Sequence, residues 1–143
     1  MHLVEKDDQA KHLNSRIEEF LKWSKKKYKF NNRFHVFLLC LGLVSSSFTG
    51  YFGLVSTENS VLAGSLGIFT TFLIALQNAF KFNEKSYVYL NLHNDAKNLR
   101  DELSYEVNNR SDVINVSNKF KKLKTNGLES LPKESNLESN QNS

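Results

Sequence analysis

The chain has 143 residues, a formal net charge of +4 and a mean hydropathy of -0.44. One domain of ordinary size fits that length. The single cysteine, Cys40, excludes an intramolecular disulfide and a multi-cysteine metal site, and His2, His12, His35 and His93 lack the spacing of paired ligands. The average hydropathy conceals a block: from Phe34 to Phe80 the only formally charged side chain is Glu58.

Residues 1–14 read as an N-terminal polar segment, and with more than thirty polar residues before the first apolar run a cleaved signal peptide is not expected. Leu13, Ile17, Phe20, Leu21, Ser24 and Tyr28 then recur at three and four residues, the stripe of an amphipathic helix. Ser15 and Glu18 suit a capping box at its start, with Leu13 extending the stripe upstream. Lys22, Lys25, Lys26, Lys27, Lys29 and Arg33 follow.

Two uncharged runs come next, Phe34 to Thr57 and Asn59 to Phe80, each matching the roughly 20 residues that cross a bilayer core. Insertion as helices is expected, since lipid offers backbone polar groups no other partner. The alternative, two helices buried in a soluble bundle, would need far more amphipathic chain to cover them. The lysines before the first run, Lys81 and Lys85 after the second, and the absence of Lys or Arg from the Ser56–Ser60 loop place both termini in the cytoplasm. Trp23, Tyr28, Phe30, Phe82, Tyr87 and Tyr89 fit an interfacial aromatic belt. This topology accounts for the basic, aromatic-rich Lys25–Phe30 stretch, so nucleic-acid binding is not expected, whereas membrane lipid is an expected partner.

Leu92, Ala96, Leu99, Leu103 and Val107 repeat the amphipathic pattern, so both membrane helices are expected to continue into the cytoplasm. Leu13 and Leu103, Ile17 and Leu99, Phe20 and Ala96, and Ser24 and Leu92 are each equidistant from Glu58. The same holds for Gly53 with Ala63, Thr49 with Gly67, and Ser45 with Thr71, as one antiparallel hairpin requires. The fold class is therefore all-α, with a two-span hairpin over 15–110 and spans at about 34–57 and 59–82. A short helix over 111–124, capped by Ser111 or Asp112, carries Val113, Val116, Phe120 and Leu123 on one side. The polar segment 125–143 is expected to be disordered.

Ala63, Gly67, Thr71, Ala75 and Ala79 occupy every fourth position of the second span, and Gly42, Ser46 and Gly50, with Gly53, form a similar row in the first. Each step of four drifts by about 40°, so the longer row wraps too far round its helix for one straight neighbour to cover. Small residues let membrane helices approach closely, so either the two helices cross steeply or each contacts more than one neighbour, and the second implies the expected homo-oligomer. A ring of hairpins encloses a channel that two helices cannot; its candidate lining residues are Ser45, Ser47, Thr49, Thr70, Gln77 and Asn78. The competing role for these polar groups is hydrogen bonding to backbone or to a neighbouring helix.

The pre-span segment Asn14-Ser15-Arg16-Ile17-Glu18-Glu19-Phe20-Leu21, the lysine-rich approach, two spans with a minimal loop, and Ala96-Lys97-Asn98-Leu99-Arg100-Asp101-Glu102-Leu103-Ser104-Tyr105 together resemble the SLATT domain family, over about Ser15 to Asp112. That resemblance rests on architecture and spacing. It implies a bacterial inner-membrane effector of nucleotide-signalling conflict systems that forms pores when a companion sensor or nucleotide-synthesising protein triggers it. A holin-like lytic protein and a non-pore anchor or scaffold are the alternatives. No enzyme and no cofactor are expected: Glu18, Glu19, Asp95, Asp101, Glu102 and Glu106 are spaced as solvated helix faces, and no nucleophile triad or glycine-rich phosphate loop occurs.

Overall fold

The computed structural model describes residues 2–55, 60–105, 107 and 109–133, and these form four helices: α1 (His2–Val55), α2 (Ser60–Phe80), α3 (Phe82–Tyr105) and α4 (Arg110–Glu129). The fold is all-α, with no strand among the described residues. The expected turn at Glu58, Glu106, and residues 134–143 of the expected disordered tail lie outside them.

The helices divide between two units. The first takes the chain to Phe30 together with Glu84–Leu131. Its core is the stripe of α1 (Leu13, Ile17, Phe20, Leu21), that of α3 (Tyr89, Leu92, Ala96, Leu103), and the apolar side of α4 (Val113, Val116, Phe120). Each large side chain removed from water here contributes about 1.5–3 kcal/mol. The Phe20 ring meets Phe120 edge-on with centroids 5.6 Å apart. α4 approaches α3 so closely that a Cβ on Gly127 would run into the buried Leu92 side chain, which would have to shift to admit it.

Several boundaries differ from those expected. α1 begins at His2, because Leu13 and the partly buried Ala10 carry the stripe upstream; Ser15 is exposed mid-helix and caps nothing. α4 starts at Arg110 with Asn109 as its cap: the Asn109 side chain accepts from Asp112 N, and Asp112 returns the bond to Asn109 N. Asp112 is thus the third helical residue of a capping box. The helix continues to Glu129, through the beginning of the segment expected to be disordered, because Gly127 packs on Leu92 and Leu131 packs on the core.

The second unit includes Asn31–Asn83. Within it, α1 and α2 run antiparallel about a seam in which Leu38, Ser45 and Leu73 are buried, with Thr49, Phe52, Ala63, Leu66 and Thr70 half-buried. The register is centred on Glu58: Phe34 meets Phe82 with centroids 4.8 Å apart, and the Cβ direction of Gly67 points at Thr49 Cγ2. Ser45 meets Thr70, one residue from the expected Thr71. The second long helix is interrupted at Lys81, whose φ of 49° is left-handed, although its N–H still donates to Gln77 O over 3.0 Å. Such a conformation costs an L-residue about 1–2 kcal/mol.

Candidate functional site

α1 and α2 each contain a stretch long and apolar enough to cross a membrane. Burial distinguishes such helices from the core of a soluble protein: only 11% and 6% of the residues in their most apolar stretches are buried. Leu54 is 90% exposed, Val61 84% and Ile68 75%, and Phe37, Val44, Phe48, Phe69 and Phe72 are exposed as well. Surface of this kind is far more extensive than the apolar patches a soluble monomer presents to water.

A knot of hydroxyls closes the seam. Ser45 Oγ lies 3.3 Å from Leu66 O, and Thr70 Oγ1 lies 2.9 Å from both Leu66 O and Ser45 Oγ. Thr49 donates to Ser45 O over 2.9 Å. Of the candidate pore-lining residues, Ser45, Thr49 and Thr70 are thus brought together between the two helices of one hairpin. Ser47 is exposed and bonds its own helix at Leu43 O; Gln77 is half-buried, and Asn78 is exposed.

The small residues lie mostly elsewhere. A Cβ on Gly42, Gly50, Gly53 or Gly64 would meet nothing within 4 Å, so contact within this hairpin does not require glycine at any of them. At about 100° per residue, Gly42, Ser46, Gly50 and Gly53 fall about 60–140° clockwise of Ser45 on α1. Gly67, Thr71 and Asn78 fall about 120–160° from Leu73 in the same sense on α2, with Gly64 and Ala75 a little further round. Because the helices are antiparallel, those two flanks share one side of the hairpin. Phe37, Val44, Phe48 and Tyr51 of α1 and Phe69 and Phe72 of α2 occupy the other, whereas Leu39 and Leu43 of α1 and Ile74 of α2, exposed as well, lie among the small residues. Ser46, Gly50, Gly53, Gly64, Thr71, Ala75 and Asn78 are all exposed. Ala63 sits near the seam, and Ala79, the last of its row, falls on the bulky side.

In the first unit, polar contacts stitch the helices. Ser24, completely buried, donates to Leu21 O over 3.1 Å, and His93 Nδ1 lies 3.2 Å from Leu21 O and 3.3 Å from Ser24 Oγ. With its proton on Nδ1, His93 would donate to the Leu21 carbonyl, which only accepts. Arg100 bridges Glu18 and Asp101, each at 3.1 Å, and Lys119 meets Glu102 at 2.6 Å. Hydrogen bonds to Glu18 and then Asp101 raise the Arg100 pKa further. The partners of Glu18 and Glu102 are therefore on other helices, which spacing along a single helix did not reveal. Trp23 and Tyr89, assigned from sequence to an aromatic belt, pack edge-on with centroids 5.4 Å apart, and burial pushes the Tyr89 phenol up. Among the described residues, no group of three His, Cys, Asp or Glu side chains is placed to hold a metal ion.

Comparison with known proteins returns no matching family model, no matching curated protein and no matching solved structure.

Proposed function

We propose that the chain is a two-span membrane protein with both termini in the cytoplasm, whose hairpins assemble side by side and open or perturb the bilayer. The observation that carries this reading is the division of the hairpin surface into a side where glycine, hydroxyl and amide groups lie among Leu39, Leu43 and Ile74 and an aromatic-rich side, neither covered within the monomer. In lipid, association depends on close packing and hydrogen bonds, both of which a Gly, Ser, Thr and Asn surface supplies. A bulky side on one copy against the small side of the next is a head-to-tail contact, which closes into a ring when the rotation allows. Of the candidate lining residues, exposed Ser47 lies on neither side and is the one such packing leaves to face water inside the ring, whereas Ser45, Thr49 and Thr70 serve the seam.

The resemblance to the SLATT family extends this reading to an inner-membrane effector of a defence or conflict system, triggered by a companion sensor or a nucleotide-synthesising partner. A second reading, a membrane anchor without a pore, is favoured by the independent core of the first unit, which suits it to recruiting a partner. Crosslinking of copies in membranes tests the assembly. Gly50→Leu and Gly67→Leu should reduce crosslinked multimers, while Phe48→Leu on the other side should reduce them less. Multimers unchanged by all three substitutions would refute the packing argument.

A further inference from the structure

The fold brings together two lysine runs that lie almost a hundred residues apart. On α1 these are Lys22, Lys25, Lys26 and Lys29; on α4, Lys121, Lys122 and Lys124. All seven are exposed, and no ion pair engages any of them among the described residues. Phe20 against Phe120 fixes α4 alongside α1, and Lys124 lines one groove with Arg16, Glu19 and Trp23. From that level both helices run the same way, α1 toward Lys29 and α4 toward Gly127, which lies against Leu92.

The positive-inside rule accounts for the α1 lysines but not for those of α4. It counts residues within about 15–20 positions of a span, and Lys121 lies 41 positions beyond Phe80. Folding, not proximity in sequence, delivers these charges to the end of the bundle where α1 carries its own lysines. The carboxylates on the neighbouring surfaces are Glu19 of α1, Asp95 of α3 and Glu129 of α4, too few to neutralise them.

We propose that the lysines of α1 and α4 together form a collar for anionic phospholipid headgroups, with α4 serving as its second wall. The chemistry is that of several mobile ammonium groups opposite phosphodiester charge, those of α1 lying five to twelve residues upstream of the uncharged run on the same helix. The collar rests on the membrane-spanning reading but not on pore formation, since a single copy suffices to bind lipid. It adds a composition requirement: the protein prefers anionic lipid, and high salt weakens that preference.

The test is native mass spectrometry of the full chain, released from detergent containing equal amounts of phosphatidylglycerol and phosphatidylcholine. Wild-type protein should retain the anionic lipid preferentially. Lys121→Gln/Lys122→Gln/Lys124→Gln should lower that preference about tenfold or more, and Lys22→Gln/Lys25→Gln/Lys26→Gln by a similar factor. Fluorescence of Trp23, the single tryptophan, reports whether α4 stays docked, so a variant with native emission and lost selectivity supports the collar. Equal retention of both lipids, or selectivity unaltered in the α4 variant, would overturn it. So would a short RNA that displaces the lipid and is retained in its place. Sedimentation without detergent is the separate control: protein left in the supernatant refutes the membrane reading itself.

Discussion

Phe120→Ala should release α4 while leaving the hairpin intact. Phe120 is 2% exposed, meets Phe20 edge-on, and is the largest side chain that α4 buries. Phe→Ala in a core costs about 3–5 kcal/mol, the ring pair being part of that loss. The Lys119–Glu102 bridge between α4 and α3 is half-exposed at the lysine and is worth about 0–1 kcal/mol, so it cannot compensate. An undocked population should therefore rise by about two to three and a half orders of magnitude. Trypsin reads this directly, because Lys119, Lys121, Lys122 and Lys124 are its sites and a docked helix resists cleavage. Wild-type protein in membranes should be cut slowly within α4 and Phe120→Ala rapidly, with Glu102→Gln close to wild type. Equal cleavage of wild type and Phe120→Ala would show that the buried ring does not hold α4, and would refute the account of the first unit.

Gly127→Ala, which sets a methyl group against Leu92 Cδ2, should destabilise the same docking by about 1–3 kcal/mol, read as faster amide exchange in α4. Asn109→Ala should cost about 1 kcal/mol by removing one arm of the capping box. Ser45→Ala should weaken the hairpin by about 0.6 kcal/mol, the usual worth of a hydrogen bond between membrane helices, in a reversible unfolding assay. The Tyr89 phenol is raised above 10.0 by burial, so its contribution is intact below pH 10.0 and is lost as pH rises through the folded-state value. Melting curves at alkaline pH should show the loss, and Tyr89→Phe should make it shallower.

The hairpin was legible because two independent signals agreed: an uncharged block, and apolar stripes equidistant from Glu58. That symmetry predicted contacts such as Thr49 with Gly67 to within a residue. The break at Lys81 was not legible, since neither Gly nor Pro marks it. That Trp23 and Tyr89 pack on one another was not legible, because an aromatic beside lysines gives the same pattern whether it meets headgroups, another helix or both. Asn109 was overlooked in favour of Ser111, although Asn followed by an acid three residues later is the capping-box pattern. For the candidate site, residue types pointed to small and polar rows. Which hydroxyls close the seam depends on the angular register between α1 and α2, and that is fixed only when the two helices pack.

Solute release from sealed vesicles tests the central claim most directly. Reconstituted wild-type protein should release a small trapped dye in proportion to its density in the bilayer, Gly50→Leu should suppress release, and Phe48→Leu should retain most of it. Vesicles that stay sealed at high protein density, or that leak equally with Gly50→Leu, would contradict the assembly of hairpins through their small-residue side.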